Sequence, residues 1–467
     1  MPSHDGPLAV SPADIVRAGM CIGCGSCAAR SEQAGAAGAI RMRLDRDGEF
    51  KPAGAARRLR RGAPDFARTC PFSPAAKDET TLAAALFPSA AHADARVGRF
   101  ESAYVGHAAE CGHRERGSSG GMVSWTAAEL LRTGQVDAVA HVGPGKASDG
   151  ERLFAYRLSR TVDEVCAGAK SRYYPVELSG VLEAIRATPG RYAVVGVPCF
   201  IKAIQLLRQE DPVLKARVSF TLGLFCGHMK STRLAESFAW QMDVPLDEVR
   251  GMDYRLKDAR RPANWYTARF ELRDGRTAQR DWFHLAEGDW GAGFFQNAAC
   301  NVCDDVVAET ADISFGDAWV EPYASDGRGN NVVIIRSAHL HAMVHDAIAQ
   351  GRLALEAVDA DFVARTQAAG LRQRREGLAY RLTWRRRGLR PRKRVTPDAG
   401  LPWRRKLIYR ARASITFWSR YLFRLARVTG ATRLYVGWAL GVRAIYQGLA
   451  HSSGRLGALV ARLAPDD

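Results

Sequence analysis

The stretch RYAVVGVPC, residues 191–199, decides the fold class of this chain. Its apolar run Tyr192–Val197 has the length and the β-branched content of a buried strand, and a cysteine follows the strand end. The stretch VSFTLGLFCGH (218–228) repeats this design. Farther upstream, MVSWTAAELLRTG (122–134) has helical spacing and a glycine stop, and VDAVAHVG (136–143) is typical of the next strand. Helices and strands therefore alternate over about residues 100–340, which predicts an α/β fold.

Two cysteines, Cys199 and Cys226, stand just after these two strands. In an open α/β sheet, functional sites gather at the carboxyl ends of the strands. The sequence CNVCDD adds Cys300 and Cys303 in C-x2-C spacing, and the four thiols together would form one four-thiolate site. The alternative is that Cys199 and Cys226 are small buried hydrophobic residues, which is the commoner role of a single cysteine.

Another cysteine cluster lies near the N-terminus, where CIGCGSC (21–27) places three thiols in seven residues. A fourth thiol is available in a Cys-Pro pair at residue 70, and a final Cys-Pro is how a bacterial ferredoxin run ends. Residues 28–69 intervene here, so only half of the ferredoxin pattern is continuous. Structural zinc is the alternative, although zinc sites usually combine two separated C-x2–4-C knuckles. The residues favoured as iron–sulfur ligands are Cys21, Cys24, Cys27 and Cys70.

The glycine-rich loop GSSGG (117–121) opens the helix predicted over 122–134. Backbone N–H groups and the positive end of a helix attract an anion at such a position. Beside two candidate clusters, the natural anion is the pyrophosphate of a flavin nucleotide, although many glycine loops are only tight turns. No G-x-G-x-x-G follows a strand, so a standard Rossmann NAD site is not predicted.

The cysteine content and the N-terminal sequence indicate a cytoplasmic protein. The first residues lack the basic region and the long apolar run of a secretory signal. In a reducing compartment, ten cysteines indicate metal or redox chemistry rather than disulfides. Cys111 and Cys166 have no ligand spacing and are interpreted as structural.

The net charge of +18 is concentrated in one part of the chain. Residues 371–467 hold 23 Lys and Arg against four Asp and Glu, whereas the first 370 residues hold 44 against 45. A basic run, RRRGLRPRKR (385–394), is followed by helical patterns that separate apolar residues from arginines. No stretch reaches the roughly 18 uncharged apolar residues that span a bilayer. The helical patterns rest on Ile415, Trp418, Leu422 and Leu425 on one face and Arg420, Arg424 and Arg427 on another.

Three partners suit such a basic tail. Amphipathic helices with arginines on one face favour the anionic inner surface of a membrane, which would make the protein peripheral there. Alternatively, the helices pack on the body or on a protein partner with their arginines in water. Nucleic-acid binding by the basic run is the least favoured of the three.

The motifs together resemble the beta subunit family of coenzyme F-420 hydrogenases and dehydrogenases, which also includes 7-hydroxymethyl chlorophyll a reductase. The likeness implies a ferredoxin-like iron–sulfur segment at 1–95 and an FAD- and cluster-binding α/β catalytic domain at 96–345, and a basic helical extension follows at 346–467. This last part departs from the family. The likeness rests on CIGCGSC, DGEFKP (47–52), CP (70–71), GSSGGMVS (117–124), KSRYYP (170–175), VGVPC (195–199), LFCGH (224–228), CNVCDDVVAETADISFGDAW (300–319) and GRGNNVVIIRS (327–337).

The resemblance also implies cofactors and site residues. It supports [4Fe-4S] ligation by the first cysteine set, and it implies a second cluster at Cys199, Cys226, Cys300 and Cys303. It does not identify the substrate, because the family name implies a deazaflavin while members reduce other molecules too. The residues implied to bind FAD are Ser118, Ser119, Gly120, Gly121, Lys170, Ser171 and Tyr173.

The expected function is an electron pathway from a donor such as ferredoxin, through the clusters and FAD, to an organic acceptor. His228 and Asp317 are candidate proton donors; the plainer interpretation is that His228 hydrogen-bonds near the cluster and Asp317 caps a turn. Alternatives are an electron-transfer subunit of a larger complex, which fits a role in surface polysaccharide biosynthesis, and a zinc-bound scaffold at the membrane. The sequence leaves the oligomeric state open.

Overall fold

The fold is built on one large mixed sheet. The computed structural model describes residues 9–33, 40–146, 152–385 and 388–463, so residues 386 and 387 of the basic run lie outside the described part. The strands are β1 Ile40–Leu44, β2 Phe50–Gly54, β3 His92–Asp94, β4 Gly98–Phe100, β5 Ser102–Ala108, β6 Ala138–Pro144, β7 Phe154–Ser159, β8 Tyr192–Gly196, β9 Val218–Leu224, β10 Val249–Asp253, β11 Thr267–Leu272, β12 Thr277–Asp281, β13 Ile313–Asp317, β14 Asn331–Ile335 and β15 Leu353–Val358.

Eight strands form the large sheet in the order β15-β5-β14-β13-β9-β8-β6-β7. The central strands β13, β9, β8 and β6 run parallel, and antiparallel strands complete both edges. Strand β8 is buried along its whole length, as its apolar run predicts for a central strand. The α/β prediction is confirmed, since helices cover this mixed sheet.

The helices alternate with the strands through the body and then continue alone. Within the described ranges, short 3-10 helices occur at Leu246–Glu248, Trp282–His284, Trp290–Ala292 and Ala298–Val302. The α-helices are α1 Pro12–Arg17, α2 Ser26–Gln33, α3 Ala56–Arg60, α4 Pro64–Thr69, α5 Glu79–Leu86, α6 His113–Arg116, α7 Met122–Arg132, α8 Val162–Ala167, α9 Ser179–Ala187, α10 Pro198–Glu210, α11 Pro212–Arg217, α12 Arg233–Gln241, α13 Ala338–Ala349, α14 Ala360–Thr366, α15 Ala368–Arg374, α16 Glu376–Leu382, α17 Trp403–Thr429, α18 Thr432–His451 and α19 Gly454–Leu463.

The N-terminal segment packs directly on the body. Helix α2 contacts α9 and α10, and α4 contacts α10. Met20 and Ile22 share one hydrophobic core with Phe200 and Ile204 of α10. The cysteines of this segment are therefore held against the helix that follows β8.

The C-terminal extension is joined to the body in two ways. Strand β15, which lies beyond residue 345, pairs with β5 at the edge of the large sheet. Helices α17 and α18, which pack on each other across a turn at the left-handed Gly430, both contact the 3-10 helix Trp290–Ala292 of the body. In the described part of the chain, no helix is both long enough and apolar enough to cross a bilayer.

The structure differs from the two faces expected for α17. Ile415 is 4% exposed, whereas Trp418 and Leu425 of the same expected face are 44% and 51% exposed. On the arginine-bearing side, which was expected to face either a membrane or water, Arg420 pairs with the buried Glu49 at 3.2 Å. The arginine-bearing side of the helix therefore lies against the body, and part of the apolar side faces outward.

A buried histidine in the sheet predicts acid sensitivity. His141 Nε2 lies 2.7 Å from Ser159 Oγ, and burial lowers the pKa of His141 to about 4. The unfolded state therefore binds more protons than the folded state between about pH 6.5 and pH 4, and stability falls as the pH drops through this window. We expect His141→Gln to remove about 2 kcal/mol of the stability difference between about pH 7 and about pH 5. Urea unfolding of both proteins at the two pH values measures this, and equal pH dependence would contradict it.

Candidate redox site

The second set of cysteines gathers at the carboxyl edge of the central strands. Cys199 occupies the first turn of α10 after β8, and Cys226 follows the neighbouring strand β9. Cys300 and Cys303 come from the 3-10 helix Ala298–Val302 and its end. Burial raises the pKa of Cys199 well above its usual range, and the Cys303, Cys226 and Cys300 thiols raise it further. The structure thus brings the four predicted thiols within electrostatic reach of one another.

Two donors act on this thiol set. The Met229 amide donates to Cys300 Sγ at 3.3 Å. The Arg374 guanidinium, from helix α15, donates to the Cys300 and Gly227 carbonyls, both at 2.5 Å. Burial alone would lower the pKa of Arg374, but the neighbouring thiols, Cys303 first among them, raise it. A buried positive charge therefore faces a group of sulfurs that would be negative as thiolates.

The first set surrounds a cavity of its own. This cavity is lined by apolar residues, including Ile15, Phe66 and Phe72, and by four thiols. Burial raises the pKa of Cys24 to about 11, while a hydrogen bond at 3.3 Å to Ser26 Oγ opposes the shift. The four cysteines are Cys21, Cys24, Cys27 and Cys70.

The two sets adjoin each other. Cys24 of the first set is among the groups that raise the pKa of Cys199 in the second. The Cys24 carbonyl also accepts a hydrogen bond at 2.9 Å from the Leu178 amide, three residues after the KSRYYP segment. The first cysteine set therefore lies next to the second set and near the KSRYYP segment.

No group of three or more His, Cys, Asp or Glu side chains in the described ranges is arranged to hold a single metal ion. Four sulfurs around one zinc would stand about 3.8 Å apart, given zinc–sulfur bonds of about 2.3 Å in a tetrahedron. In a four-iron cluster each thiolate binds a different iron, so its sulfurs stand farther apart.

The two segments implied to bind flavin meet in the structure. The Ser171 amide donates to Ser118 Oγ at 2.9 Å, which joins GSSGG to KSRYYP. Ser119 Oγ donates to the Asn330 carbonyl at 2.9 Å. A Cβ on Gly120 would lie 2.6 Å from the Gly106 carbonyl oxygen, so only glycine fits this close approach to β5 and β14. The loop is thus pinned to the sheet immediately before helix α7.

Positive charge collects around this loop. The Lys257 ammonium donates to the carbonyls of Arg114, Ser119 and Arg328. Burial lowers the pKa of Lys257 to about 8, and nearby cations, Lys170 first among them, lower it further. Cationic side chains therefore lie around the loop that precedes the N-terminus of α7, and this arrangement fits a pyrophosphate. Lys170 itself pairs with Asp253 at 3.1 Å.

An aromatic bridge links the flavin-type segment to the second thiol set. Tyr173 lies with its ring centroid 4.7 Å from that of Trp290, and Trp290 stacks on His228 at 4.2 Å. His228 is two residues from Cys226. Lys230 lies over the Trp290 ring at 4.8 Å, and burial lowers the pKa of this lysine to about 7.

The two candidate proton donors have different surroundings. Arg255 holds both oxygens of Asp317, at 3.0 and 3.4 Å. His228 Nδ1 lies 3.2 Å from Arg412 Nη2, which can only donate, so the imidazole proton belongs on Nε2. His228 Nε2 is buried and has no hydrogen-bond partner among the described residues. His228 therefore retains an unused donor, whereas Asp317 is committed to an ion pair.

Several residues of this site were missed from the sequence. Arg374 and Arg412 lie in the basic tail, where nothing distinguishes them from their exposed neighbours. Lys257 lies in the ordinary charged stretch RLKDARR (255–261). Trp290 lies outside every motif, and no sequence signal indicated its contact with His228.

Cys111 and Cys166 lie outside both sets. They line a separate cavity of about 660 Å³ between helices α6, α7 and α8. Cys111 is exposed, so the structural role expected for it does not come from burial. His113 Nδ1 lies 4.0 Å from Cys166 Sγ.

Comparison with known proteins gives two family matches, both to the coenzyme F420 hydrogenase/dehydrogenase beta subunit. The model of its N-terminal part matches residues 103–183, and the model of its C terminus matches residues 190–361. A solved structure described as a xenon derivatization of the F420-reducing [NiFe] hydrogenase complex from Methanosarcina barkeri is similar at 18% identity and a TM-score of 0.47, over 62% of this chain and 94% of that chain. No curated protein matches the chain.

Proposed function

Because this chain belongs to the coenzyme F420 hydrogenase/dehydrogenase beta subunit family, we propose that it passes electrons from a donor such as ferredoxin, through two [4Fe-4S] clusters and FAD, to an organic acceptor. The family assigns the chain to the oxidoreductases. The observation that carries the finer proposal is the adjacency of two four-cysteine sets, with flavin-type segments reached from the second set through Trp290.

The surroundings of the thiols support iron–sulfur ligation. Cys199 sits in the first turn of α10, where the positive end of the helix favours a thiolate. Arg374 adds a buried positive charge, and the Met229 amide donates to a ligand sulfur. Donors of this kind tune the reduction potential of a cluster.

The residues around the GSSGG loop support the flavin assignment. When bound there, FAD would exchange single electrons with the clusters and a hydride with the acceptor. Ser118 and Ser171 hold the two segments together, and Lys257 fixes the loop through the Ser119 carbonyl. Tyr173 and the neighbouring tryptophans keep water away from the path between the thiols and this loop. Burial, and next the Lys230 charge, lower the pKa of His228 and keep its ring neutral, so Nε2 would offer a bound group a hydrogen bond rather than a proton.

Anaerobic purification tests the proposal. We expect about eight iron and eight sulfide per chain, a broad absorbance near 400 nm from the clusters, and one FAD released on denaturation. A colourless protein that contains zinc would contradict the proposal. Reoxidation of the reduced protein by a deazaflavin or another organic acceptor separates a reductase from a subunit that only passes electrons to a partner.

Replacing Lys257 by methionine is expected to weaken FAD binding roughly tenfold, because a charged hydrogen-bond donor that fixes the loop is lost. Fluorimetric titration of flavin-free protein with FAD measures the change. Lys215→Met removes an exposed lysine far from the loop and serves as the control. Unchanged affinity in Lys257→Met would remove the loop from the flavin site.

A further inference from the structure

The outward face of the C-terminal helices is unusually apolar. Along α17 most of the exposed apolar residues follow one another at three or four residues, so they form one stripe on a helix about 40 Å long. Of the 17 exposed large hydrophobic residues in the described part of the chain, 11 lie between residues 403 and 459. The outward stripe consists of Trp403, Leu407, Phe417, Trp418, Tyr421, Leu425 and Val428 of α17, and Leu434, Leu440 and Ile445 of α18 are exposed as well.

The inner face of α17 explains why the stripe points away from the body. Arg412 is 6% exposed and donates to Gln296 Oε1 at 2.7 Å. Arg424 Nη1 lies 3.3 Å from Asp47 Oδ1. These contacts fix the rotation of the helix, so the stripe is held outward by ion pairs and hydrogen bonds.

The charge around the stripe indicates what covers it. Residues 399–465 contain twelve Lys and Arg and no Asp or Glu. Several of these cations, including Arg410, Arg433 and Arg455, are exposed. Such a segment attracts an anionic surface. A protein surface that binds a lipid bilayer needs apolar side chains and positive charge, but it does not need a complementary shape. Tryptophan and tyrosine beside arginine are also the side chains that settle at the boundary between headgroups and acyl chains.

We propose that the outward stripe lies in the headgroup region of an anionic phospholipid bilayer, with α17 parallel to the membrane plane. The arginines that face the body fix α17 against the residues around the redox site. The exposed arginines beside the stripe contact lipid phosphates. This orientation differs from an amphipathic helix that presents all its arginines to the membrane. It does not depend on which cofactors the body binds.

Flotation of the full chain with vesicles tests this orientation. We expect the protein to float with vesicles of equal parts phosphatidylglycerol and phosphatidylcholine, and not with phosphatidylcholine alone. The triple variant Trp418→Gln, Leu425→Gln and Val428→Gln removes apolar surface without touching the inner face, and we expect it to lower the bound fraction roughly tenfold. The matched control is Val16→Gln, Val213→Gln and Leu246→Gln, which changes exposed apolar residues elsewhere and is expected to float as the wild type does.

Four results would overturn the proposal. The first three are wild-type protein that does not bind anionic vesicles, a triple variant that floats as well as the wild type, and a control variant that loses as much vesicle binding as the triple variant. A fourth is a concentration-dependent dimer, seen by light scattering, that the triple variant abolishes while vesicles have no effect; that result would make the stripe a protein interface. Circular dichroism and thermal melts confirm that each variant is folded.

Discussion

Replacing Cys199 by serine is expected to remove about half of the iron that the anaerobically purified protein binds, because one of the two proposed four-iron clusters loses a thiolate. The residue is buried at the start of α10 and within electrostatic reach of Cys226, Cys300 and Cys303. Serine cannot supply an equivalent soft ligand, so the whole second cluster is lost rather than one iron. The first set retains its four thiols, and about four iron should remain. Iron and sulfide analysis, with electron paramagnetic resonance of the reduced protein, measures both parts.

The chain offers two informative comparisons. Cys24→Ser should remove the other half of the iron and leave the signal that Cys199→Ser abolishes. Cys166→Ser changes a cysteine outside both sets and should keep the full iron content. Full iron content in Cys199→Ser would mean that the cysteines after β8 and β9 are only small core residues.

Replacing Arg374 by methionine is expected to change both the stability of the protein and the midpoint potential of the second cluster. Its guanidinium is buried and satisfies the carbonyls of Cys300 and Gly227, which methionine leaves unpaired. We expect a loss of about 3 kcal/mol in the unfolding free energy of the cluster-free protein, since two buried acceptors lose a charged donor. In the cluster-loaded protein, we expect the midpoint potential of the second cluster to become more negative, because a positive charge beside the thiolates is gone.

Two variants separate these effects. Arg372→Met changes an exposed arginine on the same helix and should alter neither stability nor potential. Arg374→Lys keeps the charge but donates fewer hydrogen bonds, so it should restore the potential more fully than the stability. Potentiometric titration and urea unfolding measure the two quantities independently. An unchanged midpoint potential in Arg374→Met would leave this residue with a structural role alone.

The parts of this architecture that depend on local pattern could be predicted from the sequence. The apolar run after residue 191 became β8, one residue shorter than expected, and the strand of residues 218–224 lies parallel beside it. Because parallel neighbours end at the same edge, the positions of Cys199 and Cys226 followed from the strand assignment. The meeting of GSSGG with KSRYYP was implied only by the family resemblance, since no spacing connects segments that lie so far apart in the chain.

The parts that depend on tertiary packing could not be predicted. Helical periodicity gives the faces of α17 but not which of them the body covers. Acidic partners such as Glu49 and Asp47 decide that question, and they lie more than 370 residues earlier in the chain. For the same reason, Arg374 and Arg412 could not be told apart from the solvated arginines around them, so the basic tail was expected to be separate from the redox site.

The placement of these two arginines has a consequence for biosynthesis. A nascent chain that has left the ribosome as far as residue 303 already displays all eight clustered thiols, but neither guanidinium has yet been synthesised. Iron delivered at that stage would meet solvent-accessible thiols in an incomplete chain. Assembly of the proposed clusters is therefore best timed after translation ends, since a prematurely terminated polypeptide would carry these thiols without their counter-charge.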